Sequence, residues 1–308
     1  MQKNDIIKEI EKLKKEKNAI ILAHYYTLPE IQDISDYLGD SLGLSRKAGE
    51  SDADIIVFCG VNFMAETASI ISPDKKVLIP VTNAGCSLAE GITGEDLKIW
   101  KDNNPDGVVV TYVNTTADVK AYSDYCCTSS NALKVVESIP RDKKILFAPD
   151  ANLGSYISAV TNRSMEIWDG ACHVHNKIDT QMVLDKINEY PDADILIHPE
   201  SLCSSDELVL NSPNCYLYST SGILNHVKTS IKNTFIIATE EGLMYQLKKV
   251  APDKKIIQIS DSIVCEYMKE TKLEDVLAAL QKEQYEVKVN KEIRDKAIIP
   301  INRMLSIG

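Results

Sequence analysis

Three times along this 308-residue chain, one order of elements ends in a cysteine. One segment reads Ser72-Pro73-Asp74-Lys75-Lys76-Val77-Leu78-Ile79-Pro80 and runs on to Cys86. Another reads Ala251-Pro252-Asp253-Lys254-Lys255-Ile256-Ile257-Gln258-Ile259 and runs on to Cys265. In each, a helical pattern stops, a Pro-Asp-Lys-Lys turn follows, an apolar strand runs, and a loop delivers the cysteine. Between them, Thr161-Asn162-Arg163-Ser164 leads into a strand at 165–168 and then Cys172. Any α/β chain alternates strand and helix. What is added here is a cysteine returning at one structural point, which only internal repetition explains economically.

The correspondence extends backwards. A second strand and its helix recur as DIIVFCGVNFMAETA, KILFAPDANLGSYIS and TFIIATEEGLMYQL. Before each lies a helix with a polar start: GDSLGLSRKA from Gly39, TSSNALKVV from Thr128, and STSGILNHVK from Ser219. Earlier still an opening strand ends in His24, in Tyr112-Val113-Asn114, or in His198-Pro199-Glu200. Strands are expected at 19–25, 55–59, 76–80, 108–113, 144–147, 165–168, 194–198, 215–218, 234–238 and 256–259. Continuous apolar strands separated by helices imply mostly parallel sheets covered on both faces. The repeats fall at about 18–86, 107–172 and 194–265. The expected domains are 1–86 with an N-terminal helix, 87–172, and 173–289, with the C-terminal segment 290–308 packing on the first.

Ligands of parallel α/β units bind beyond the carboxyl ends of the strands. His24, Tyr112, Asn114, His198 and Glu200 fall at such ends, and the three cysteines follow third strands on the same side. Helix starts at Ser41, Ser129 and Thr220 offer free N–H groups and a positive dipole end. Packed about a pseudo-threefold axis, the units bring three thiols to one point with anion pockets around it. Thiolates suit zinc or an iron–sulfur cluster. Structural zinc usually takes four ligands in local pairs, and electron-transfer clusters four cysteines. Three ligands leave one iron of a [4Fe–4S] cluster free to act as a Lewis acid.

Composition narrows the partners. With 34 basic and 45 acidic side chains the net charge is −11, which disfavours nucleic acid and anionic membranes. There is no long apolar run and no apolar signal core near the N-terminus, so the expected location is cytoplasmic. Eight cysteines in a cytoplasmic chain argue against a disulfide framework, and none has C-x-x-C spacing.

The stretches AHYYTLPEIQDISDYLGDS, FCGVNFMAETASI, YVNTTADVKAYSDYCCTSSNA, APDANLGSYI, GACHVH, IHPE and STSGIL, in this order across nearly the whole chain, resemble the quinolinate synthase family. The resemblance implies three Rossmann-like α/β/α repeats about a pseudo-threefold axis with the active site at their junction. It implies condensation of iminoaspartate with dihydroxyacetone phosphate, losing phosphate and two waters, to quinolinate for NAD synthesis. It also implies a [4Fe–4S] cofactor, and an L-aspartate oxidase or dehydrogenase to supply iminoaspartate. The family's cluster ligands fall on Cys86, Cys172 and Cys265. Its substrate-binding histidines fall on His24 and His198, its anion-binding hydroxyls on Ser41, Ser129 and Thr220, and its site Tyr and Asn on Tyr112 and Asn114. Its catalytic Tyr and Glu fall on Tyr26 and Glu200, and the last His of GACHVH is His175. IVCEYMK around Cys265 is the least distinctive stretch.

Cys59, Cys126, Cys127, Cys203 and Cys215 have no counterparts in the other repeats and read as packing residues. His173 and His226 read as structural, Asp150 and Asn152 as caps of the next helix. Ser41, Ser129 and Thr220 fit ordinary N-caps as well as binding groups. The competing functions are an aconitase-like hydro-lyase, which would need a longer chain, a metal-free α/β binding protein, and an electron carrier. Iron content and product analysis separate them.

Overall fold

The computed structural model describes residues 2–307; Met1 and Gly308, the outer ends of the first and last expected segments, lie outside the described residues. Helix α1 (Lys3–Glu16) leads into the first unit: β1 (Ala19–His24), α2 (Pro29–Ile34), β2 (Tyr37–Gly39), α3 (Ser41–Glu50), β3 (Ile55–Cys59), α4 (Asn62–Ile71) and β4 (Lys76–Leu78). The second is α5 (Gly94–Asn103), β5 (Val108–Tyr112), α6 (Ala117–Ala121), β6 (Tyr125–Cys127), α7 (Ala132–Ser138), β7 (Ile145–Ala148), α8 (Ala151–Thr161) and β8 (Glu166–Ile167). The third is α9 (Thr180–Glu189), β9 (Asp194–Ile197), α10 (Glu207–Leu210), β10 (Cys215–Leu217), α11 (Thr220–Thr229), β11 (Thr234–Ala238), α12 (Leu243–Val250) and β12 (Lys255–Gln258). Two further helices, α13 (Leu273–Lys282) and α14 (Lys291–Ser306), complete the chain.

Each unit forms a four-stranded parallel sheet, ordered β2-β1-β3-β4, β6-β5-β7-β8 and β10-β9-β11-β12. The three α/β repeats expected from the sequence are therefore present. The central pairs β1/β3, β5/β7 and β9/β11 are apolar runs buried on both faces, as parallel strands under two helix layers must be. The strand order reverses direction between each central pair, which opens a crevice at their carboxyl ends.

The repeated turn has a repeated task. Lys75 donates to the carbonyls of Ala48 and Ser51 at the end of α3, and Lys254 to Val227 and Ser230 at the end of α11, at 2.6 and 2.7 Å. In the second unit Arg163 does the same for Val136 and Ile139 at the end of α7, at 3.0 and 2.6 Å. A cation on exposed helix-terminal carbonyls satisfies both the orphan acceptors and the negative dipole end.

The structure corrects three expectations. Strands β2 and β6 are additional: each is three residues long, too short to show a period, and exists because it adds to the edge of β1 or β5. Ser129 does not start a helix; Thr128–Asn131 form a turn and α7 begins at Ala132. The C-terminal segment does not pack chiefly on the first unit. There Leu273, Val276, Leu277 and Leu280 of α13 meet Ile6, Ile10 and Leu13 of α1, two apolar stripes with helical spacing. Helix α14 instead lies against α6 and β6 of the second unit, touching α4. Asn131 donates to its terminal carbonyls, Met304 at 3.0 Å and Ile307 at 2.6 Å, and the Arg303 guanidinium stacks 5.0 Å from the Tyr125 ring.

Candidate active site

All three crevices open into one cavity where the units meet. His24, Tyr26, Ser41, Cys86, Tyr112, Asn114, Ser129, Cys172, His175, His198, Glu200, Thr220 and Cys265 all line it, so every residue singled out from the sequence reaches the same space. Cys59, Cys126, Cys127, Cys203 and Cys215 do not.

The three cysteines sit in equivalent turns. Each sulfur faces the backbone N–H three residues on: Ala89 for Cys86, His175 for Cys172, Met268 for Cys265. These N–H groups favour thiolate. Burial opposes them and pushes the Cys86 thiol up to about 11, Cys265 to about 12, and Cys172 upward. One soft sulfur per unit, each with a backbone donor aimed at it, fits a cluster held by three thiolates. A narrower grouping is also present: Cys172 Sγ, a His175 ring nitrogen and a Glu200 carboxylate oxygen lie within 4.8 Å of one another, the donor set of a single ion.

His24 ends β1 and His198 immediately follows β9, and the Nδ1 of each faces the N–H of the residue two further on. Tyr26 N lies 3.2 Å from His24 Nδ1, and Glu200 N lies 3.4 Å from His198 Nδ1. Tyr26, Asn114 and Glu200 therefore occupy one position of the repeat, just past the first strand, and all three point into the cavity.

Burial lowers the His24 imidazole to about 4, so it is neutral near pH 7, and lowers the His198 imidazole below its ordinary value. For His24 the sign is fixed: the unfolded ring, near 6.5, takes a proton before the folded one does. Stability is full above pH 6.5 and is lost as pH falls to 4, by roughly 3 kcal/mol in all. Urea midpoints measured from pH 7 to 4 should fall less steeply in His24→Gln; equal slopes would contradict a buried neutral ring.

Glu200 is buried, which alone would raise its carboxyl, but His175 and His198 outweigh burial and hold it below the usual carboxylate range. Its Oε2 lies 3.0 Å from His175 Nδ1 and 3.3 Å from His198 Nδ1. On the other side of the ring His175 Nε2 lies 2.9 Å from Thr239 Oγ1. Thr239 Oγ1 lies 2.7 Å from the Tyr26 hydroxyl, and that hydroxyl 2.9 Å from Thr220 Oγ1. Glu200, His175, Thr239, Tyr26 and Thr220 thus form an unbroken hydrogen-bonded chain through two units. Burial raises the Tyr26 phenol well above its normal range.

Thr239 is a site residue that the sequence pattern does not mark: it follows β11, whereas the first strand of each unit carries the histidines, Tyr112, Asn114 and Glu200 at its end. The crevice lies between the first and third strands, so residues after β7 and β11 belong to it equally.

Ser41 and Thr220 are the first residues of their helices, not the caps. Asp40 Oδ1 takes the Gly43 N–H at 3.0 Å and Ser219 Oγ the Gly222 N–H at 3.3 Å. The Ser41 hydroxyl is thus left out of the capping at its helix start. Asp150 caps α8, as expected, taking the Leu153 N–H at 2.7 Å, but Asn152 instead donates to the Glu200 carbonyl at 3.0 Å. Asn114 donates to Glu200 Oε1 at 3.4 Å, while its own Oδ1 is buried without a partner among the described residues. An acceptor orphaned on a cavity wall is explained by a donor that arrives with a ligand.

Comparison with known proteins agrees with this architecture. Residues 8–306 match the family model described as quinolinate synthetase A protein. A quinolinate synthase of Pyrobaculum aerophilum is 50% identical over 304 residues, 97% of this chain and 99% of that one. A quinolinate synthase of Thermus thermophilus is 44% identical over 308 residues, covering 100% and 99%. One from Methanosarcina acetivorans, quinolinate synthase 2, is 45% identical over 308 residues, covering 100% and 97%. A match spanning both partners from end to end, on a chain whose three units build one cavity, means that this enzyme belongs to the quinolinate synthase family.

Proposed function

We propose that the chain condenses iminoaspartate with dihydroxyacetone phosphate and eliminates phosphate and two waters to give quinolinate, with a [4Fe–4S] cluster on Cys86, Cys172 and Cys265. The observation that carries this reading is the meeting, in one cavity, of three equivalent cysteines and the chain from Glu200 to Tyr26. When bound, such a cluster supplies a Lewis-acidic iron without a protein thiolate.

The protein's own residues account for binding and proton transfer. The start of α3 and the hydroxyls of Ser41 and Ser129 suit carboxylate or phosphate oxygens. Asn114 Oδ1 suits an imine N–H or a hydroxyl of the substrate. The Glu200 carboxylate fixes the His175 proton on Nδ1, leaving Nε2 to accept from Thr239, which accepts from Tyr26. A proton leaving the Tyr26 phenol passes to Thr239 while the Thr239 proton passes to Nε2, and the imidazolium so formed rests on Glu200. Tyr26 can then take a substrate proton and return one to a departing hydroxide, as dehydration requires.

The test is an anaerobic assay of reconstituted protein with both substrates, measuring quinolinate and iron together. Quinolinate formation with about four irons per chain is expected. One metal ion per chain would favour the single-ion group of Cys172, His175 and Glu200. A full cluster without quinolinate would overturn the substrates.

A further inference from the structure

Ser87, His173 and Glu266 each immediately follow one of the three cysteines and come from different turns of the repeat, yet they form one hydrogen-bonded chain. Ser87 Oγ lies 2.7 Å from His173 Nδ1, and His173 Nε2 lies 3.1 Å from Glu266 Oε2. A neutral imidazole with its proton on Nε2 satisfies both contacts, accepting from Ser87 and donating to Glu266. The His173 ring also meets Tyr267 edge to face, with centroids 5.8 Å apart.

The three cysteine loops are not otherwise held alike. Asp150 Oδ2 accepts the N–H of Cys172 at 3.3 Å, and Glu240 Oε1 accepts the N–H of Cys265 at 3.1 Å. Both carboxylates are fully buried and stand at the same point of their units, just past β7 and β11. The remaining Glu240 oxygen takes the Gly242 N–H at 2.7 Å, and Lys269 pairs with Glu240 at 3.0 Å. These two loops are therefore pinned from beneath. The first unit has Val61 at this point, a side chain with nothing to accept a hydrogen bond, and among the described residues no acceptor meets the Cys86 N–H.

We propose that Ser87, His173 and Glu266 are a clasp, with His173 as its positioning residue, that holds the Cys86 loop to the two pinned loops and so fixes the spacing of the three thiols. The purpose of that spacing rests on the cluster reading above; the clasp itself can be tested without metal. The His173 side chain is about a third exposed, so its removal opens no buried cavity and leaves global stability nearly intact. What changes is local opening of one loop.

The experiment measures the rate at which each cysteine of the full-length, metal-free protein reacts with 5,5′-dithiobis(2-nitrobenzoate), mapped by peptide mass. In His173→Ala, Cys86 should react about tenfold faster, the effect of losing a pair of hydrogen bonds, with Cys172 and Cys265 within about twofold of wild type. Ser87→Ala cuts the same link from the other side and should accelerate Cys86 alone. Glu266→Gln keeps an acceptor and should behave as wild type. Melting temperature should stay within about 2 °C in all three. Iron release to a ferrous chelator from the loaded proteins should follow the Cys86 rates. Unchanged Cys86 reactivity in both His173→Ala and Ser87→Ala overturns the clasp, as does equal acceleration of all three thiols. A wild-type protein that takes up no cluster overturns the cluster reading instead, and leaves the thiol rates to decide the clasp. Should His173→Ala fail to fold, Ser87→Ala decides alone.

Discussion

Replacing Cys172 with serine should reduce bound iron from about four per chain to less than one and abolish quinolinate formation, while Cys126→Ser leaves both as they are. A serine hydroxyl is hard, stays protonated at neutral pH, and cannot replace a soft thiolate ligand. Burial raises both thiols, and the two cysteines differ in place. Cys172 lines the cavity with a backbone N–H on its sulfur. Cys126 lies on β6, wholly inside the apolar core. The readouts should therefore cross. Cys126→Ser places a hydroxyl in that core and should cost about 1–3 kcal/mol of stability with no loss of iron. Cys172→Ser should leave the metal-free protein nearly as stable as before. Iron retained by Cys172→Ser would remove it from the ligand set; iron lost in Cys126→Ser would put the metal elsewhere.

That these cysteines could be separated from sequence follows from repetition. Cys86, Cys172 and Cys265 share one point of a pattern, and the turns that precede them contain Lys75, Arg163 and Lys254, which the structure shows doing one job. Residues set by a repeated element are legible because the same physics is written three times. The singular features were not legible. Strands β2 and β6 exist only as additions to a sheet edge. The docking of α13 on α1 pairs stripes more than 250 residues apart in the chain, and periodicity says a helix has an apolar face without saying what covers it. Tyr26 and Glu200 were assigned by resemblance, yet what joins them, Thr239, carries no sequence signal: a threonine at a strand end is common, and only the packing of the third unit against the first sets it between His175 and Tyr26. For the same reason His173 reads as an ordinary structural histidine until the three loops are seen together.

The proton chain makes the second large prediction. Glu200→Gln should lower kcat about 10³-fold, and Thr239→Val about 10²-fold, with KM for either substrate changed little in the valine variant. Because His175 and His198 hold Glu200 below the usual carboxylate range, it is ionised at neutral pH. Glutamine should therefore lower the rate at every pH without moving the acid limb of the profile. Thr239 is fully buried and does not itself line the cavity, so valine, of nearly the same shape, removes the link to Tyr26 while leaving the cavity wall in place. It also leaves His175 Nε2 without its partner, at a stability cost of about 1–3 kcal/mol. Thr239→Ser restores the hydroxyl and should return kcat to within about threefold of wild type. That rescue separates proton transfer from packing, since serine lacks the methyl group that valine retains. If serine and valine were equally poor, Thr239 would be a packing residue, and Tyr26 would have to exchange its proton by another route. If both were fully active, the chain from Glu200 to Tyr26 would carry no proton during turnover.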